Sequence, residues 1–138
     1  IAIFENNYKT AADMFAQAKS LGFNTDYNDG VVLINKGHYD KAVKLMAKDN
    51  PNCDYNIALA QTLDKKYSIA EETIKCMEEN GQTLYLQAII AARTNDMEKS
   101  LKHLSKAIRK DSKIKKMAKE DMEFAYLHDN PEFIALTE

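Results

Sequence analysis

Apolar side chains recur along most of the chain at intervals of three and four residues, which places them on one face of an α-helix. The clearest case is Met97, Leu101, Leu104 and Ile108, within a segment that ends near residue 110. Short polar stretches separate such segments. The pattern predicts an all-α chain with helices at about 1–6, 8–21, 25–35, 39–48, 53–64, 67–79, 82–94 and 97–110.

One short turn motif occurs four times at nearly constant spacing. Its copies start at Asn6, Gly37, Lys65 and Asn95, and each has a large side chain two residues later. A small residue follows each large one, and these small residues, 31, 28 and 30 positions apart, are Ala11, Ala42, Ala70 and Ser100. Four residues further on stands a bulky apolar residue, respectively Phe15, Met46, Ile74 and Leu104. The period indicates an internal repeat.

The other half of this repeat precedes each of the last three turns. It consists of a tyrosine followed three residues later by a small residue, as in Tyr27 and Gly30, Tyr55 and Ala58, and Tyr85 and Ala88. A small side chain there lets two antiparallel helices approach closely. Each unit is therefore predicted to be a helix, a short turn and a second helix, and stacked units are expected to share one core.

This arrangement resembles the tetratricopeptide repeat family over residues 1 to about 111. Residues that meet the family pattern of small and bulky positions are Gly30, Ala42, Met46, Ala88, Ser100, Leu104 and Ala107. The resemblance implies a right-handed α-α superhelix with a half repeat at 1–22 and repeats at about 23–50, 51–80 and 81–111. The spacings are shorter than the family's ~34 residues, no Trp occurs, and the closing Pro is shifted, as at Asn50-Pro51.

The two ends depart from the repeat. Residues 112–138 keep a helical pattern and are predicted to form a C-terminal helical cap, in which Asn130 and Pro131 start a last short helix carrying Phe133 and Leu136. At the other end, Ile1–Phe4 align with the end of a first helix whose earlier turns would lie upstream. We expect this end to pack against upstream sequence or to self-associate with another copy.

The resemblance also implies a partner-binding surface on the concave side of the stack, formed by the first helix of each unit. The candidate residues there are Tyr27, Asn28, Tyr55, Asn56, Leu59, Tyr85, Ile89 and Arg93. Tyr gives a large contact area, and Asn amides can hold a peptide backbone. Two alternatives stay open, since the tyrosines can instead pack between units and the closing helices can fill an apolar groove. The lysines and arginines of the family's carboxylate clamp are absent from the corresponding places, so that function is not expected.

Charge adds one local feature to a formal net charge of −2. Residues 102–119 hold eight basic residues and one acidic residue, Asp111. We interpret this run as a solvated face, and the alternative is that it meets phosphate or an acidic partner. No aromatic side chain interleaves it as base stacking requires, so we expect no nucleic-acid partner. No segment approaches the ~18 consecutive apolar residues of a membrane span.

The residues that usually carry chemistry are few. Cys53 and Cys76 form no CxxC pair, so a metal site is not expected. They fall near the start of one predicted helix and the end of its partner helix, so a disulfide between them remains an open possibility. A disulfide would indicate an oxidising compartment. His38, His103 and His128 are not brought together by the repeat, and we expect neither a cofactor nor an enzyme active site.

The sequence therefore predicts a non-catalytic protein–protein interaction module that binds a peptide or a partner domain on its concave face. The alternative is a structural spacer or assembly region of a larger bacterial cell-envelope protein. Residues 85–96 resemble bacterial arrays of this kind, which favours the periplasm or cell envelope over the cytoplasm.

Overall fold

The computed structural model describes the backbone of residues 2–48 and 53–138, and the side chains of residues 8–48 and 53–138. Every regular element within these ranges is a helix, so the all-α prediction is confirmed for them. The elements are α1 (Ala2–Ser20), α2 (Asp26–Asn35), α3 (Tyr39–Met46), α4 (Tyr55–Leu63), α5 (Tyr67–Lys75), α6 (Gly81–Arg93), α7 (Met97–Lys110), α8 (Ile114–Glu120), a 3-10 helix (Met122–Leu127) and α9 (Pro131–Thr137).

The chain divides into two compact units, Ile1–Thr73 and Ile74–Glu138. The first, called here the N-terminal unit, contains α1 to α4 and most of α5. The second, the C-terminal unit, contains α6 to α9 and the 3-10 helix. The division into repeats and cap stays a prediction.

Three of the four predicted copies of the turn are confirmed. The links between α2 and α3, between α4 and α5, and between α6 and α7 each contain three residues, and the middle one has a positive φ of 79° at Gly37, 61° at Lys65 and 60° at Asn95. In every link the N–H of the third residue donates to the carbonyl five residues earlier at 2.9 Å. This left-handed motif satisfies carbonyls at the end of the first helix.

The predicted turn at Asn6 is wrong, because the backbone runs through it as one helix, Ala2–Ser20. Asn costs only about 0.7 kcal/mol relative to Ala in a helix interior, and neither Gly nor Pro interrupts this stretch. The helix ends instead at Ser20, two residues before Gly22, whose φ is 89°. The predicted packing of Ile1–Phe4 against upstream sequence or another copy concerns side chains outside those that the structure describes.

Small residues bring the helices of a hairpin together, as predicted. In the N-terminal unit, Gly30 of α2 is buried, and a Cβ there would overlap Cγ of Met46 and lie 3.3 Å from the carbonyl oxygen of Ala42 on α3. In the C-terminal unit, the Ser100 hydroxyl donates to the Ala88 carbonyl oxygen at 2.9 Å. Each unit thus contains a hairpin whose helices are in close contact at the repeat's small positions.

The core of the C-terminal unit includes the segment after α7. Phe124 and Leu127 of the 3-10 helix and Phe133 of α9 are buried together with Leu84 of α6 and Leu104 of α7. Asn130 begins α9 as predicted, since its side chain accepts hydrogen bonds from the N–H groups of the second and third helical residues. Residues 112–138 are therefore an integral part of this unit's core.

Both cysteines are oxidised. Cys53 and Cys76 are each disulfide-bonded, a state that the sequence left open.

Candidate functional site

Tyr27, Asp54 and Asn56 form a hydrogen-bonded cluster in the N-terminal unit. The Tyr27 hydroxyl lies 2.9 Å from Oδ2 and 3.0 Å from Oδ1 of Asp54, to which it donates. The same hydroxyl accepts a hydrogen bond from Nδ2 of Asn56 at 2.9 Å. All three side chains are half-buried. Two of the predicted partner-binding residues, Tyr27 and Asn56, are thus brought together.

The start of α4 determines where this cluster lies. Asp54 has an extended backbone, with φ −131° and ψ 135°, and its carboxylate accepts from the N–H groups of Asn56 at 2.9 Å and Ile57 at 3.1 Å. Asp is among the preferred residues for this capping position. The carboxylate therefore caps α4 and also orients Tyr27 of α2.

The other candidates of this unit stand next to the cluster in sequence. Asn28 follows Tyr27 and is exposed, while Tyr55 and Leu59 of α4 are half-buried. Burial raises the pKa of Tyr55 above 10.0, its ordinary value. We call Tyr27, Asn28, Tyr55, Asn56 and Leu59 the tyrosine–asparagine surface.

Tyr27 is expected to ionise above its ordinary pKa of 10.0. Burial has the largest effect and raises the pKa, the Asn56 amide lowers it, and the Asp54 carboxylate raises it further. The neutral phenol is thus favoured in the folded chain, and the stability that it contributes is present below pH 10 and lost as the pH rises through the pKa of the folded state.

The substitution Asp54→Asn tests this assignment, since it keeps a side-chain oxygen for the cap but removes the negative charge. We expect the pKa of Tyr27 to fall while staying above 10.0, because the effect of burial remains. NMR titration of the tyrosine Cζ resonances, with Tyr27 assigned by its loss in Tyr27→Phe, measures the change. An unchanged or raised pKa in Asp54→Asn would contradict the proposed role of the carboxylate.

The candidates of the C-terminal unit have partners within their own unit. The hydroxyl of Tyr85, a buried residue, donates to Oδ2 of Asp121 at 2.6 Å, and its ring meets that of Phe124 edge to face with the centroids 5.6 Å apart. Nε of Arg93 lies 2.9 Å from Oε2 and 3.1 Å from Oε1 of Glu123. The third candidate, Ile89, is partly buried against the same core. The 3-10 helix and its capping residue therefore cover much of this part of α6.

The acidic partners of these residues were not among the site residues predicted from the sequence. Asp54 and Asp121 each stand directly before a helix and cap it through their side chains. Each also accepts from a repeat tyrosine, Tyr27 or Tyr85 respectively. An Asp immediately before an apolar helical pattern is a recognisable capping signal. That signal marks Asp54 and Asp121 as helix starts but does not reveal which tyrosine each of them holds.

Two further findings bear on the chemistry of the described part of the chain. No group of three or more His, Cys, Asp or Glu residues there is placed to hold a metal ion. Among the same residues, no helix is both long enough and apolar enough to cross a bilayer.

Comparisons with known protein families, with curated proteins and with solved structures find no match to this chain.

Proposed function

We propose that the chain is a tetratricopeptide-like array of helical hairpins, arranged as a right-handed superhelix, that binds a peptide or a partner domain without catalysing a reaction. The partner would lie on the side formed by the first helices of the hairpins, which includes the tyrosine–asparagine surface. The observation that carries the proposal is the hydrogen-bonded cluster of Tyr27, Asp54 and Asn56, because it fixes polar side chains on α2 and α4.

The hairpin geometry supports the array part of the proposal. Three links share their length, a left-handed middle residue and one hydrogen-bond pattern, at sequence intervals of 28 and 30 residues between Gly37, Lys65 and Asn95. A local motif that recurs at this interval is typical of helical repeat proteins.

The cluster supports the binding part of the proposal through preorganisation. Side chains already held by hydrogen bonds lose little rotamer freedom when a partner binds, and freezing a mobile side chain costs about 0.5–1.5 kcal/mol. Asn28 is exposed, so its amide can donate to and accept from a peptide backbone. Tyr55 and Leu59 of α4 are partly accessible and offer apolar area.

A structural role is the alternative, as a spacer or assembly region of a larger bacterial cell-envelope protein. The observation that favours it is the engagement of Tyr85 by Asp121 and of Arg93 by Glu123, since these side chains stabilise the C-terminal unit itself. The disulfide state of Cys53 and Cys76 agrees with an oxidising compartment such as the periplasm.

Selection of peptides from a random displayed library on the immobilised protein tests binding. We expect enriched peptides to lose about tenfold or more in affinity towards the double variant Asn28→Ala, Leu59→Ala, because truncated contact residues at the centre of an interface cost more than about 1–2 kcal/mol. Isothermal titration calorimetry measures the affinity, and circular dichroism verifies the fold of the variant.

The matched control is Lys41→Ala, Ser68→Ala, which truncates two exposed residues on the second helices α3 and α5. It is expected to bind the same peptides as tightly as the unmodified chain. Failure to enrich any peptide, or an equal loss of affinity in both double variants, would favour the spacer.

A further inference from the structure

The end of α7, the following link and α8 carry a dense positive charge. Exposed lysines along this stretch are Lys102, Lys106, Lys110, Lys113, Lys116 and Lys119, and the exposed Arg109 stands among them. We call these seven residues the basic face. Residues 102–119 have a net charge of +7, from eight basic residues minus one acidic residue, so the rest of the chain has −9 to give the total of −2.

This positive charge is largely uncompensated within the described residues. Asp111, the acidic residue of the stretch, uses its carboxylate to accept from the N–H of Lys113 at 3.0 Å. Nζ of Lys110 lies 3.9 Å from Glu79, at the limit of an ion pair. In the part of the chain that the structure describes, Lys106, Lys113 and Lys116 form no ion pair.

The fold holds the lysines away from the core. Leu104, Ala107 and Ile108 of α7 and Ile114 and Ala118 of α8 are buried in the core of the C-terminal unit. Because these apolar residues fix the inward side of both helices, the lysines between them extend into solvent. One apolar side chain extends with them, since Met117 of α8 is 52% exposed.

We propose that the basic face binds the surface of an anionic lipid bilayer. Lysines attract acidic headgroups, and an exposed apolar side chain on a short helix can enter the boundary between headgroups and acyl chains. The attachment is peripheral and reversible, and it is independent of peptide binding at the tyrosine–asparagine surface.

The composition of the basic face favours lipid over other anionic partners. Residues 102–119 contain no Phe, Tyr or Trp, the side chains with the largest rings for stacking on bases, and no Asn or Gln, the side chains that read adenine. Lys is depleted in protein–protein interfaces, whose cores are enriched in aromatic residues. Phosphate and carboxylate groups of lipid headgroups require neither kind of side chain.

Flotation with vesicles of phosphatidylcholine containing about 30% phosphatidylserine tests the proposal. We expect the full chain to bind these vesicles at about 0.05 M salt and to dissociate from them at about 0.5 M, because salt screens the attraction. We expect no binding to vesicles of phosphatidylcholine alone. Each lysine near the surface contributes about a fivefold change in partitioning. The variant Lys106→Glu, Lys113→Glu, Lys116→Glu is therefore expected to bind at least about a hundredfold more weakly.

A matched variant changes the net charge equally but elsewhere. Lys9→Glu, Lys36→Glu, Lys41→Glu replaces three exposed lysines of the N-terminal unit and is expected to keep most of the vesicle binding. Circular dichroism verifies that both triple variants are folded. Equal losses in the two variants, or no binding of the unmodified chain to the anionic vesicles at low salt, would overturn the proposal. Binding to a DNA duplex without binding to vesicles would also overturn it and assign the basic face to nucleic acid.

Discussion

Replacing Phe124 by Ala is expected to lower the free energy of unfolding of the C-terminal unit by about 3–5 kcal/mol. The side chain is 0% exposed, and its ring lies 5.6 Å from that of Tyr85 and 6.1 Å from that of Phe133, measured between centroids. Its removal takes away apolar burial and leaves a cavity between α6, the 3-10 helix and α9. A typical domain has only about 5–15 kcal/mol of stability, so the loss would be a large part of the total.

Amide hydrogen exchange measured in α6 and α7 reports this loss for the C-terminal unit separately. The matched control is Met122→Ala in the same 3-10 helix, because Met122 is 80% exposed and a surface substitution changes stability by about 0.5 kcal/mol or less. If exchange in α6 and α7 accelerates equally in both variants, Phe124 does not hold the segment in the core as the structure implies.

Helix content and hairpin turns could be predicted from the sequence because both depend on local patterns. The spacing of apolar residues predicted both ends of α7, Met97–Lys110, correctly. The turn residues Gly37, Lys65 and Asn95 share a position although two of them are not Gly. Lys65 is an unusual residue in the left-handed region, so it was the repeat, rather than residue preference, that indicated this turn.

The first copy of the turn failed for a physical reason. Asn6 can adopt the left-handed region as readily as Asn95 does, so the local sequence permits either a turn or a helix. Continuing α1 through Asn6 adds a hydrogen bond for each residue, and neither Gly nor Pro stands in this stretch to interrupt the helix. A repeated motif therefore marks where a turn can form, but it does not by itself decide between a turn and a continuing helix.

The helices that carry the candidate site could be predicted from the sequence, but the residues that contact its side chains could not. Tyrosine and asparagine positions follow from the repeat, and Tyr27 and Asn56 do meet. Tyr27 and Asp54, which joins it to Asn56, are 27 positions apart in the sequence. Tyr85 and Asp121 are 36 positions apart. Such pairs depend on how neighbouring helices pack, which apolar spacing does not determine. That the closing helices fill the groove was one of the alternatives left open by the sequence. The residues of 121–127 that cover α6 were not predicted.

The close approach of α2 and α3 leads to a second large effect, at Gly30. We expect Gly30→Ala to lower the free energy of unfolding by about 1–3 kcal/mol, because the added methyl group overlaps the buried side chain of Met46. This loss would occur although Ala is the better helix former by about 0.8–1.0 kcal/mol. Urea denaturation followed by circular dichroism measures it.

A double-mutant cycle with Met46→Ala identifies the cause of that loss. Removing the Met46 side chain is itself destabilising, since it leaves a cavity, but it also removes the atoms that the new methyl group would meet. In the Met46→Ala background we therefore expect most of the cost of Gly30→Ala to disappear, and the helix preference of Ala can turn the remainder into a gain of up to about 1 kcal/mol. An equal cost in both backgrounds would mean that contact with Met46 is not what requires glycine at this position, and that the nearby carbonyl of Ala42, 3.3 Å from the added Cβ, is the obstacle instead.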